Sequence, residues 1–572
     1  MSEKKNRASS MPFNVASVTR QSLLLGMGVP RKDLEKPMVG IITQSNEVHA
    51  GHTHFQGLAE EVKRGVREAG GVPVEINVGG FCDGIIMPNP YYTFPQRNLI
   101  VNMIEVAVEA NLLDAMVFLA SCDKNVPAAL MGAARTNWPS ILVCGGSMAP
   151  VEYKGEPLTL ESVIHSVGQM TKGEMSQAEF DVICENACLC DGRSSAGACS
   201  AMTTGTTMQI LTEALGMCLP GNSSCLGISG RMNDMAYRAG KQIMDLWRSD
   251  TRPRDILTEA SIQNAIKVCL AVGGSIHALY HIPAIAIEAG LKMDVWGIFD
   301  KLSNEIPTIA GITPNGHHTM WDYEKAGGTP ALMRSIAHKL DAEALTVTGN
   351  SIKTYYEDAI VANPDVIHSF DNPWSSSGGV AILRGNLAVG GSVVRPSGIL
   401  PSMMLFSGKA KVFVSEEEAI RYIRSNELTE RTVMVIKYQG LKGAPGIRTL
   451  LPLSGEIVGR GIEEMVAVVT DGRFSGGARG CCIGLVNPEA AEGGLIALVE
   501  DGDLIKIDIP NRSIELQIGD ADVERRRKNL VPYTTRTNSP YLASFLNSTR
   551  TISEGMVEGN LDRGSYKTIW PY

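Results

Sequence analysis

Aromatic residues are scarce in this chain, 6% of 572 residues. No uninterrupted apolar run reaches about 18 residues, so no segment offers itself as a membrane-spanning helix. The opening stretch, MSEKKNRASS, has no apolar core. A secretory signal is therefore not expected, and the chain reads as cytoplasmic. Basic residues are in the minority, 52 Lys and Arg against 61 Asp and Glu for a net charge of -9. Nucleic acid is a poor partner for such a surface, and an anionic substrate would need positive charge supplied locally, by a metal or by helix N-termini. There is no internal repeat and no low-complexity tract.

What the chain has in quantity is glycine, 59 residues, and a hydrophobic fraction of 44%. Many tight turns around sizeable cores suit an α/β enzyme better than a structural protein. The length calls for two large domains. Twelve cysteines in a cytoplasmic chain read as free thiols or metal ligands and not as disulfides. Cys144, Cys218, Cys225 and Cys269 lie in apolar or helical patterns and read as small buried hydrophobes.

Apolar runs at Pro37 to Thr43, Val72 to Val78, Ala115 to Ala120 and Ser140 to Cys144 alternate with helical patterns at Phe55 to Ala69 and Asn98 to Asn111. That alternation predicts a mainly parallel sheet covered on both faces. Helical signals dominate from about Leu158 to Lys339. The Pro/Ser/Gly segment Asn372 to Gly379 reads as the junction between domains at 1–371 and 380–572. Beyond it, short β-rich runs at Val380 to Leu383, Ala410 to Val414, Thr432 to Tyr438, Met465 to Thr470, Leu504 to Ile509 and Ile514 to Ile518 predict a β-barrel or closed sandwich.

Four segments carry chemistry. Ser121-Cys122-Asp123-Lys124 and Cys82-Asp83-Gly84 each follow a predicted strand, where α/β proteins place reactive groups. Asp83 and Asp123, on neighbouring strands, would repel one another unless a cation lay between them, which is a physical reason to expect a divalent metal. Thiolates suit iron and carboxylates suit Mg²⁺. Cys199, in Gly197-Ala198-Cys199-Ser200, precedes a helical pattern from Met202 to Gly216, so a helix dipole is expected to lower its pKa. The Cys188/Cys190 spacing has no second pair to complete a zinc site. Ser475, in Asp471-Gly472-Arg473-Phe474-Ser475-Gly476-Gly477, sits at a tight turn after a strand, and its spacing does not meet the G-x-S-x-G hydrolase pattern.

Together with KGAPG (Lys442 to Gly446) and NPEAAEGG (Asn487 to Gly494), the pieces CDGI, SCDKNVP, GACSAM and TDGRFSGG resemble the dihydroxy-acid and sugar-acid (phosphogluconate) dehydratase family. The resemblance runs from about Arg20 to Arg527. It implies an N-terminal α/β domain, a C-terminal β-barrel domain, and a homodimer or a dimer of dimers. It also implies a two-iron or four-iron iron–sulfur cluster beside Mg²⁺. Carried over by position, Cys122 and Cys199 would hold the cluster; Asp83, Asp123 and a carbamylated Lys124 would bind Mg²⁺; Ser475 would take the C2 proton of a 2,3-dihydroxy acid on its way to a 2-keto acid.

The chain departs from the family pattern in places. Gly51 stands where many members carry a cysteine, and Cys82 is a candidate for the missing thiolate. Thr449 stands where relatives place a Mg²⁺-binding glutamate. Met87-Pro88-Asn89 and Ser275-Ile276-His277 also differ. TDGRFSGG points to the branched-chain dihydroxy-acid branch. The alternatives are an aldonic (sugar) acid dehydratase, for whose extra hydroxyls His49, His52, His54 and His277 are candidate partners, and a repurposed paralogue with an altered metal site.

Overall fold

The structure is a computed structural model and describes residues 6–559, apart from 190–194, 377, 475–477, 534 and 536. The first apolar runs become β1 (Met38–Thr43), β2 (Val72–Asn77), β3 (Ala115–Ala120) and β4 (Ser140–Cys144). They form one wholly parallel sheet in the order β2-β1-β3-β4. Every residue of β3 and β4 is buried, as a strand with helices on both faces must be. The helix Phe55–Glu68 links β1 to β2, and Pro95–Asn111 links β2 to β3.

A short antiparallel hairpin, β5 (Val151–Tyr153) with β6 (Glu156–Leu158), leads into the helical layer. Its helices Thr204–Ala214, Glu259–Val272 and Ala278–Glu288 are buried over most of their surface. Cys144 at the end of β4 and Cys218, Cys225 and Cys269 in this layer are all buried, as their apolar surroundings predict.

The second half closes into an eight-stranded barrel, β10-β11-β12-β8-β7-β14-β13-β9. Its strands are β7 (Ala381–Gly385), β8 (Ala388–Val394), β9 (Leu405–Phe413), β10 (Thr432–Ile436), β11 (Val466–Thr470), β12 (Cys481–Asn487), β13 (Leu504–Asp508) and β14 (Ser513–Leu516). The apolar runs anticipated all of these except β8 and β12. The Gly390-Gly391 pair inside β8 reads as a turn, and the paired Cys481 and Cys482 of β12 read as thiols before they read as β-formers. Side-chain alternation explains the barrel wall. Val433, Val435, Ala467 and Val469 point into the barrel, whereas Met434, Ile436, Val466 and Val468 join the core shared with the first domain. Strands β10 and β11 are therefore buried on both faces.

Two contacts lock the halves together. The helices Leu160–Lys172 and Leu451–Gly459 cross glycine on glycine: a Cβ built on Gly168 would lie 2.6 Å from the Cα of Gly459. The fully buried Arg97 donates to the carbonyls of Gly555 and Met556 at 2.5 and 3.2 Å, which ties the C-terminal segment to the first domain. Gly168→Ala is expected to cost about 1–3 kcal/mol, because two backbones in contact leave no space for a methyl group. A lowered thermal midpoint would show it; an unchanged midpoint would mean the helices can part without loss.

Candidate functional site

In a sheet ordered 2-1-3-4 the crossover from β2 to β3 passes over β1, so the crevice at the carboxyl ends of β1 and β3 is the topological switch point where such sheets hold ligands. The register aligns Thr43 with both Asn77 and Leu119, so the three loops that follow start level with one another. The two acid-bearing strands are not neighbours as the sequence reading assumed. Strand β1 lies between them, and Asp83 and Asp123 meet because their loops lean over its end.

The meeting point is Lys124. Its side chain is wholly buried, and its Nζ lies 2.5 Å from Asp83 Oδ2 and 3.9 Å from Asp123 Oδ2. Gln96 donates to Asp83 Oδ1 at 3.2 Å. From the barrel side, a guanidinium nitrogen of Arg473 stands 4.0 Å from Asp83 Oδ2. Burial pushes the Asp123 carboxyl up to about 6; Lys124 opposes the shift, the charge of Asp83 adds to it, and the Gly205 N–H counters it. Each acid alone would be costly to bury, and the cations present between and beside them offset that cost.

The thiols adjoin this pair. Cys122 is buried with φ at +69°, a left-handed conformation that costs a non-glycine residue ~1 kcal/mol and that clusters at functional sites. The Cys122 and Cys82 thiols act on one another: the interaction holds the Cys82 thiol below its ordinary pKa and pushes Cys122 well above it, with burial adding to the rise in Cys122. The charges of Cys82 and Cys199 also act on Cys122, so the three sulfurs share one neighbourhood.

Cys199 corrects an expectation. The helix begins at Thr204 with Thr203 as its cap, which leaves Cys199 outside the first turn. Burial first, and then the charges of Glu161, Asp123, Cys188 and Cys82, push its thiol well above the usual range. Cys199 is placed by its neighbours: Ala198 N–H donates to the Gly146 carbonyl at 2.7 Å, and Gly197 N–H to the Gly51 carbonyl at 3.2 Å. A Cβ built on Gly51 would meet that Gly197 carbonyl at 2.9 Å. A cysteine at position 51 would thus push away the segment that carries Cys199. Cys190 lies outside the described residues. Among the described residues, no group of three or more His, Cys, Asp or Glu side chains stands ready to enclose a metal ion.

The barrel contributes the turn after β11. Asp471 is wholly buried and accepts from the N–H groups of Tyr438, Gln439 and Ala490 at 3.2, 2.8 and 2.8 Å. Arg473, 2% exposed, donates to the Ile447 carbonyl at 2.7 Å and to Thr93 Oγ1 at 3.0 Å. The Phe474 carbonyl accepts from His277 Nε2 at 2.7 Å. Ser475 lies outside the described residues, and the residue before it is bonded to the first domain. Thr449 runs beside Arg473 in a parallel bridge; it is buried, and its hydroxyl has no partner.

The histidines proposed as hydroxyl-binding groups brace the loops, although Nδ1 of His54 is buried without a partner. His52 donates from Nδ1 to the Gln44 carbonyl at 2.7 Å and accepts at Nε2 from the Ser121 N–H at 3.3 Å. His54 bonds the Gly145 carbonyl at 2.8 Å, and His49 accepts from Gly51 N–H at 3.1 Å. His277 is held between Thr204 and Phe474. Burial lowers the pKa of all four, to about 4 for His49 and His54, so they are neutral struts of the loops. Three groups at the site went unanticipated. Gln96 and Thr93 lie in a stretch with no motif, and Tyr280 lies in a helix that reads as plain core. Arg473 was on view in TDGRFSGG but overshadowed by the serine.

Comparison with known proteins accounts for nearly the whole chain. The family profile "Dihydroxy-acid/6-phosphogluconate dehydratase N-terminal" matches residues 36–355, and its C-terminal counterpart matches residues 365–556. A dihydroxy-acid dehydratase of Aquifex aeolicus is 40% identical over 557 residues, covering 97% of this chain and 99% of that protein. One of Moorella thermoacetica is 40% identical over 555 residues, 96% of this chain and 100% of the relative. One of a Hydrogenobaculum species is 41% identical over 541 residues, 94% and 97% respectively. With the fold, the switch-point site and both profiles in agreement, the chain belongs to the dihydroxy-acid/6-phosphogluconate dehydratase family.

Proposed function

We propose that this protein is a hydro-lyase that converts a 2,3-dihydroxy carboxylic acid into the corresponding 2-keto acid and water. The observation that carries the reading is the convergence, at one sheet edge, of the Asp83–Lys124–Asp123 group with the thiols of Cys82, Cys122 and Cys199, facing the barrel turn that leads to Ser475. The donor types fit two cofactors. Carboxylate oxygens suit Mg²⁺, held by Asp83, Asp123 and Lys124 as its carbamate. Thiols suit an iron–sulfur cluster, held by Cys122 and Cys199, with Cys82 in place of a thiol that Gly51 lacks. Bound there, these groups supply Lewis acidity toward the substrate's carboxylate and hydroxyls.

The chain's own residues supply the rest. Ser475, as its alkoxide, accepts the C2 proton and passes it to the departing 3-hydroxyl, which leaves as water; the enol then gives up its 2-hydroxyl proton as C3 gains one, and the 2-keto acid results. A serine hydroxyl is a weak base unless positive charge favours its alkoxide, and Arg473, two residues earlier in the chain, is a buried cation 4.0 Å from Asp83. Burial of Lys124 and Arg473 excludes water from the charged groups and strengthens each interaction there. The reading includes a cytoplasmic homodimer or homotetramer, in keeping with the fact that no helix among the described residues is long and apolar enough to cross a membrane. Thr449 favours a second reading, a repurposed paralogue whose metal site has lost a carboxylate.

The Ser475→Ala protein is expected to lose at least ~10²-fold in kcat, the usual weight of a positioned base, with its iron content intact; full turnover would remove the serine from the mechanism. Cys82→Ser is expected to lower iron and sulfide per chain after anaerobic reconstitution and to weaken the visible absorption. Undiminished iron would leave Cys82 a packing residue. Thr449→Glu separates the two readings: the dehydratase turns over before the change, while the paralogue turns over only after it.

A further inference from the structure

Tyr280 lies in the helix Ala278–Glu288, whose sequence ALYHIPAIAIE is apolar on nearly every side and whose residues are buried almost throughout. The side chain is completely buried, and its phenol oxygen makes no hydrogen bond. That is unusual: a buried tyrosine hydroxyl nearly always finds a partner, and leaving it without one costs about 1–3 kcal/mol. A phenylalanine would fill the same space without that cost.

The ring's surroundings place it at the site. It packs edge-on to Phe94, with centroids 5.0 Å apart, and the Lys124 ammonium lies over that same Phe94 ring at 5.8 Å. It lies 5.0 Å from the ring of His277, which binds the carbonyl of Phe474, the last described residue before Ser475. The charged groups that act on the phenol are Arg473, Asp83, Asp123 and Arg97. Three of those four belong, with Lys124, to the candidate site itself.

We propose that Tyr280 is a substrate-contacting residue whose hydroxyl bonds to an oxygen of the bound acid beyond C3, so that the site selects a hydroxylated chain over an apolar branched one. This rests on the dehydratase reading for the location of the acid. It reaches further by naming the substrate class as polyhydroxy acids and by assigning the recognising group to a residue outside every motif. Of the four histidines first considered for that task only His54 keeps an unpartnered ring nitrogen, and the phenol is one of the uncommitted polar groups here, with Thr449 Oγ1 and His281 Nε2, among the described residues.

The test uses two acids that cannot be dehydrated because they lack a 3-hydroxyl: 2,4-dihydroxybutanoate and 2-hydroxybutanoate, which differ only at C4. Calorimetric titration of the reconstituted protein is expected to show the first binding roughly 10-fold or more tighter, the span of one hydrogen bond to a buried group. In Tyr280→Phe that preference should vanish, with binding of the second acid and the thermal midpoint unchanged or raised. Equal affinity of the unaltered protein for both acids, a preference that survives in Tyr280→Phe (as when the phenol serves a buried water), or binding of neither acid would overturn the proposal. Because the titration needs no turnover, a protein that discriminates between the acids but dehydrates none refutes the dehydratase reading and leaves Tyr280 as the hydroxyl-binding residue.

Discussion

Taking a lysine ammonium out of water costs several kcal/mol unless an opposite charge meets it directly, and Lys124 has no exposed surface at all. Its contact with Asp83 at 2.5 Å, with Asp123 on its other side, is the interaction around which the rest of the site is organised. The loops after β2 and β3 hold their shapes by sharing this charge. The thiols of Cys82 and Cys122 come together because each is one residue removed from an acid in that group. Any ligand that binds here enters a charge balance already set, and a carbamate on Lys124 would reverse its sign and call for a divalent cation in its place.

The barrel completes what the sheet begins. Strands β10 and β11 present one face to the barrel interior and the other to the shared core, which fixes the turn after β11 against the first domain. Asp471 clamps the base of that turn through three backbone N–H groups, and Arg473 and the Phe474 carbonyl reach across to Thr93, Asp83 and His277. Glycine-on-glycine packing of Gly168 and Gly459 brings the two halves close enough for these reaches to succeed. Catalytic geometry of this kind tolerates errors of well under an ångström, so the interface is as much a part of the site as the residues within it.

Gly51 illustrates how a substitution in such a setting alters more than one contact. Without a side chain there, the segment 197–199 settles onto its backbone and delivers Cys199 toward Cys122 and Cys82. Thr449 and Tyr280 each carry a buried hydroxyl without a protein partner, and groups of that kind are few in folded proteins.

The sequence by itself determined the elements and the chemistry. Apolar runs marked all four strands of the parallel sheet and most of the barrel, most clearly β3 and β4, where burial of every residue leaves a continuous hydrophobic signature. Residue types at strand ends marked Cys82, Asp83, Cys122, Asp123 and Lys124. Only the tertiary structure decided which groups meet. β1 separates the strands that bear Asp83 and Asp123, so their approach depends on loop paths that no periodicity records. Likewise Cys199 stands clear of the helix N-terminus at which its sequence pattern placed it. The four histidines turned out to be struts and Tyr280 a candidate ligand, because burial and hydrogen-bond partners are properties of the packed molecule. A side chain's identity states what it can bond to; only the fold, by bringing distant segments together, settles whether that capacity is already used.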